Sequence, residues 1–286
     1  MRIVRSMNLP PPDLPPPPPE PEKKPMTVVT EVAVPTNPYA PPLSPLLKAT
    51  GDAKEGSEVS QNLGGLIKDA ISFPLRHGNA AVLAVGAIVI FFIAIAAYVP
   101  LVGLVVMIGG ASYVAAYYFE VIEHTVHGKS EAPPWPDLSS YWDDIIVPGI
   151  QMLGITLISS VPLILVIWQL AEADDTWLSP PVLIASLLKW IYFPMATLAV
   201  VCNGSVWAAL PQRVLPSLIR CLPGYLVCAA AFASAEIVHA FFDAFVGWIP
   251  IVGFMLGWVS FMYAMLVQAR LTGLIYLRYQ DRIRWD

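Results

Sequence analysis

The chain has 286 residues, 56% of them hydrophobic and 13% charged, with a formal net charge of −5. Soluble domains carry about 25% charged residues, so this chain lacks the charge to coat a water-facing surface, and a polytopic membrane protein is the class that remains. No basic patch is available for nucleic acid.

Residues 1–60 hold 15 of the 29 prolines, and Pro15 to Pro19 are consecutive. Proline lacks the N–H and clashes with the preceding helical turn. This segment is therefore read as an extended, largely disordered cytoplasmic tail or spacer, the functional alternative being a ligand for a proline-binding groove. The opening MRIVRSM leads into no apolar core of a signal peptide, so no secretory leader is expected.

The membrane domain is placed at 61–286. It opens with NLGGLIKDAISFPLRHGN, where Leu63, Leu66, Ile67, Ala70, Ile71 and Phe73 recur at helical spacing with Lys68 and Asp69 opposite. Too short to span, this reads as an amphipathic helix lying in the interface. Six apolar runs follow, near 80–99, 101–119, 147–170, 181–202, 224–245 and 251–269. Each approaches the roughly 20 residues that cross about 30 Å of hydrocarbon, and helices are the solution that satisfies their backbone in lipid. The expected fold is all-α, with about six transmembrane helices after the interfacial one.

Lys and Arg alternate by side. Lys68 and Arg76, Lys129, Arg213 and Arg220, and Arg270, Arg278, Arg282 and Arg284 fall on one side, whereas the connection AEADDTWLSP is acidic. The positive-inside rule then puts both termini in the cytoplasm, as expected of a bacterial inner-membrane protein. The turns YVPLVG (98–103) and WIPIVG (248–253) echo one another, as a duplicated hairpin or as shared turn chemistry.

The stretch WIPIVGFMLGWVSFMYAMLVQARLTGLIYL resembles the last hairpin of the Yip-like families, and GKSEAPPWPD resembles the loop after the second span of certain bacterial multi-pass proteins. The resemblance covers about 60–286. It implies a helical membrane domain and a non-enzymatic part in membrane organisation or trafficking.

Three sets of residues could carry chemistry. Glu120, Glu123, His124 and His127 share one face if the second span continues to His127, and carboxylates with imidazoles suit a transition metal. The plainer reading is a helix end entering water, stopped by Gly128 at the C′ position; metal binding is expected to be absent, and no cofactor is implied. The run EAPPWPDLSSYWDD is expected to be irregular. Trp135, Tyr141 and Trp142 there suit an interfacial belt, and with Asp137 they form a possible docking loop within 128–144. The fifth run buries Glu236, and a charge at that depth needs a partner. Lys189 sits at a matching depth if the fourth span starts near Pro181, and His239 is one turn from Glu236. An intramembrane group of Lys189, Glu236 and His239 is expected, the rival being that the fourth span starts at Lys189 itself. Cys202, Cys221 and Cys228 form no C-x-x-C pair and suggest neither a disulfide framework nor a zinc ribbon.

The function expected is therefore a non-enzymatic membrane scaffold or partner-binding subunit. It meets membrane lipid and another membrane or cytoplasmic protein through its tail or the 128–144 loop. The first alternative is a small transporter or channel using Glu236, His239 and Lys189; the second is a membrane-embedded metalloenzyme.

Overall fold

A computed structural model describes residues 62–76, 78–96, 98–137, 140–170, 179–246, 249 and 252–283. The proline-rich tail lies outside the described residues, as does part of the 248–253 turn. The described residues form seven α-helices: α1 (Leu63–Ser72), α2 (Asn79–Ala96), α3 (Val102–Val126), α4 (Val147–Leu170), α5 (Pro180–Asn203), α6 (Pro211–Val246) and α7 (Val252–Tyr279). No strand occurs among the described residues.

Helices α2, α3, α4 with the turn before it, α5 and α7 are each long and apolar enough to cross a membrane. Helix α6 is bent by 94° between Pro211–Leu222 and Gly224–Ser234. The residue at the bend is Pro223, which has no N–H to give the helix, and Gly224 follows. The chain leaves α5 beside the start of α4, where Gln151 donates to the Gly204 carbonyl (2.9 Å). It enters α7 at the opposite end, and with the two arms of α6 taken as one span the number of apolar crossings rises from five to six. The protein is thus an all-α, multi-pass membrane protein. The first arm of α6 carries Arg213 and Arg220, which the sequence places in a plain connection.

Helix α7 is the hub, packing on α1, α2, α3, α5 and α6. Its burial is uneven. Met262 to Ile275 carries most of its buried side chains, whereas Met255, Leu256 and Val259 are exposed. Helix α3 behaves alike, with Val102, Val105, Met107 and Ile108 exposed and Ala115 to Ile122 mostly buried. The bundle is therefore closed at the end holding α1 and the C-termini of α3 and α7, and splayed at the end holding the α2–α3 turn.

Small residues allow the closed packing. A Cβ on Gly149 would lie 2.5 Å from the Ser112 Cβ and 2.9 Å from its Cα, and one on Gly273 would lie 2.5 Å from the Thr125 Cβ. These are backbone approaches that larger residues forbid.

An arginine locks the closed end. Arg270 is 6% exposed and lies inside α7 rather than after it. Its Nε donates to Asp69 Oδ2 (3.1 Å), and Nη1 donates to Thr125 Oγ1 (3.2 Å) and to the Lys129 carbonyl. Its guanidinium sits 5.0 Å from the centre of the Phe73 ring. Asp69 also pairs with Arg76. A buried cation is tolerated only when paired and hydrogen-bonded, and here α1 supplies the anion. Consequently α1 buries Leu66, Ala70 and Phe73 in protein, and only Ile71 and part of that face remain for lipid. This differs from a helix lying free in the interface because Asp69, on its polar side, is drawn to α7.

Candidate functional site

The sequence from Glu120 to Asp144 folds into one place. Helix α3 runs on to Val126, with His127 as its C-cap. The Gly128 N–H bonds to the Thr125 carbonyl (2.9 Å) and the Lys129 N–H to the His124 carbonyl (3.0 Å), with Gly128 at φ +75°. This is the Schellman arrangement, in which glycine occupies the left-handed C′ position.

The chain then doubles back along α3. Asn79 Oδ1 accepts from the Ala132 N–H (3.0 Å). The Tyr117 hydroxyl donates to the Pro133 carbonyl (3.3 Å) and the Tyr113 hydroxyl to the Pro136 carbonyl (3.4 Å). Trp135 stacks on the Tyr117 ring at 4.0 Å and on the Tyr113 ring at 5.4 Å. Its far edge faces Gly86, where a Cβ would come within 2.8 Å of the indole. Trp135 is thus a wedge between α2 and α3. The reason is geometric: Tyr113 and Tyr117, at i and i+4, present two rings on one face, and the flanking prolines hold the chain extended over them.

The irregular run ends sooner than the sequence suggests. Tyr141–Ile146 forms a π-helical turn that leads into α4, so Tyr141, Trp142, Asp143 and Asp144 are helical. Acidic residues at a helix start meet its positive end, which outweighs the local turn character. Tyr141 and Trp142 are exposed.

These elements enclose a cleft of about 570 Å³ lined by Glu120, Glu123, Asp137, Asp143 and Asp144, together with Trp135, Gln151 and the end of α5 at Val200, Val201 and Gly204. No lysine or arginine is among the lining residues. Asp137 has an interaction of its own, and Glu120 Oε1 lies 3.9 Å from His124 Nε2. The remaining three carboxylates have no ion-pair partner among the described residues. Asp137, Asp143 and Asp144 are exposed and Glu120 and Glu123 half-buried, and several like charges in one recess focus a negative potential that draws cations.

The metal-candidate residues stay on the end of α3, with Glu120 and His124 3.9 Å apart, but they do not converge on one point. Their carboxylates line the cleft, while the His127 ring Nδ1 lies 2.8 Å from the Glu123 carbonyl and Lys129 Nζ is 3.5 Å from His124 Nε2. Among the described residues no group of three or more His, Cys, Asp or Glu is placed to hold a metal ion.

The side chains of Glu236 and His239 lie outside the described residues, and with them the expected group at Lys189. Helix α5 does start at Pro180, not at Lys189. It packs on α6, with Trp190 and Phe232 at 6.2 Å between ring centres, one turn before Glu236. Cys202 and Cys221 are buried and not joined in a disulfide.

Asp69, Arg270 and the Tyr113–Tyr117–Trp135 stack were not singled out from sequence. The i, i+4 tyrosines ahead of a Pro-Pro-Trp-Pro run were the one signal for the stack. No protein-family model, curated protein or solved structure matches the chain.

Proposed function

We propose that this is a non-enzymatic integral membrane protein that organises a partner by holding a lysine- or arginine-bearing segment in its acidic cleft. The observation that carries this reading is the cleft itself: five carboxylates line it, and no lysine or arginine is among its described lining residues. Lys68, Arg76 and Lys129 belong to the closed end, which by the positive-inside rule faces the cytoplasm, and the C-terminus lies with it. The partner is then a cytoplasmic protein, or the cytoplasmic segment of a membrane protein. The Yip-like resemblance points to a non-enzymatic role as well.

The test is binding of a fluorescent octalysine peptide to the full chain in nanodiscs. Three lost charge contacts of about 0.5 kcal/mol each weaken binding roughly tenfold, the result expected for the Glu123→Gln, Asp143→Asn, Asp144→Asn variant. Binding by the parent should also fade between about 0.1 M and 1 M salt, where the Debye length falls from about 10 Å to about 3 Å. Equal affinity for parent and variant would overturn the proposal.

A further inference from the structure

On the other face of α3 a second recess, of about 620 Å³, runs between the spanning helices, and no charged residue lines it. Its wall on α7 extends from Phe254 to Gln268. Fourteen residues at 1.5 Å rise make a slot about 21 Å long, against the roughly 15 Å depth of one hydrocarbon leaflet, half of the 30 Å core. It starts near Tyr98, beside the α2–α3 turn, and ends at Tyr118 and Gln268. Both end residues have interactions of their own, and along the wall the Trp258 indole Nε1 is a buried donor with no hydrogen-bond partner among the described residues, a single donor rather than the several polar groups that hold a buried water.

The slot exists because the bundle splays at this end. Val102, Val105, Met107 and Ile108 of α3 are exposed beside it, so its mouth is continuous with the lipid-facing surface. Water gains little there, since a buried water needs two to four polar partners. An empty slot forfeits the dispersion contacts of its walls. What the surroundings supply is hydrocarbon.

We propose that this slot is a binding site for one acyl chain of a bilayer phospholipid, lying along α7 with its headgroup near Tyr98. The chain fills the gap between α3 and α7, and its ordering is set by the slot's length and apolar wall.

The test uses the full chain in phosphatidylcholine vesicles doped with a phosphatidylcholine carrying a diazirine at one acyl terminus. After irradiation, adducts are mapped by mass spectrometry. Met265 is 7% exposed, so labelling there requires a chain inside the slot. The expected result is labelling of the Phe254–Gln268 segment, Met265 included, in excess of the lipid-facing surface of α4 at Leu153 and Leu157. Ala111→Phe and Ala94→Phe, which project into the slot from its partly open walls, should each remove the excess and leave the α4 adducts unchanged. The unchanged α4 pattern reports that the variants fold. An unlabelled Met265, or an excess that survives both substitutions, would overturn the proposal.

Discussion

Arg270 illustrates how one side chain sets the closed end. Its positive charge is almost fully buried, whereas Asp69 is partly exposed and keeps Arg76 as a second partner. The two deletions are therefore unequal. Asp69→Ala strands a buried guanidinium and is expected to lower stability by about 3–5 kcal/mol. Arg270→Met removes that charge and forfeits the hydrogen bonds to Thr125 and Lys129, a loss of about 1–3 kcal/mol. Denaturant unfolding in detergent micelles measures both, and the order Asp69→Ala worse than Arg270→Met is the diagnostic. Trp135→Ala empties the space between Tyr113, Tyr117 and Gly86 and should cost about 3–5 kcal/mol. It should also open the peptide bond after Lys129 to trypsin under native conditions. The spacing of Tyr113 and Tyr117 hints at the Trp135 stack, but the pairing of Arg270 is not legible from sequence. An arginine at the end of an apolar run reads as an interfacial anchor, and its real partner lies 201 residues away.

At the scale of the elements, glycines separate those that matter from those that do not. Gly128 holds φ +75° at the end of α3, a conformation that disfavours other residues by about 1–2 kcal/mol, and Gly128→Ala should show that loss. Gly149→Ala drives a methyl against the backbone of Ser112 and should separate α3 from α4 with a larger penalty. Gly64 lies in α1 with nothing near its Cβ position, so Gly64→Ala should raise stability by about 0.5–1 kcal/mol through helix propensity. A loss at Gly64 and neutrality at Gly149 would reject the packing described for these helices. Element positions were largely readable, because continuous hydropathy marks α2, α4, α5 and α7, and Gly128 marks the stop of α3. The π-helical turn before α4 and the right-angle bend of α6 were not. Both depend on which neighbour a polar or proline-bearing segment finds, and hydropathy carries no record of that.

For the whole molecule, the arrangement is a bundle tied shut at one end by charge and aromatic stacking and open to lipid at the other. The opposite characters of its two recesses follow: the acidic cleft sits beside the doubled-back segment at Trp135, the apolar slot where α3 and α7 diverge. The closed end is expected in the cytoplasm. Alkaline phosphatase fused after Asp286 should be inactive and a fluorescent protein fused there bright; the reverse pair would invert the topology. From sequence, Glu120 and Glu123 were grouped with the histidines of their own helix face, and Trp135 and Asp137 with a separate loop. Only the turn at Gly128 and the tyrosine stack bring the two groups to one cleft, a long-range consequence that spacing along α3 does not encode. The account is tested most directly by zero-length carbodiimide coupling of octalysine to the full chain in nanodiscs, with the sites mapped by mass spectrometry. It predicts amide bonds at Glu120, Glu123, Asp137, Asp143 and Asp144, well above those at Glu131 and Asp281. Coupling at Glu131 and Asp281 that equals or exceeds coupling within the cleft would contradict it.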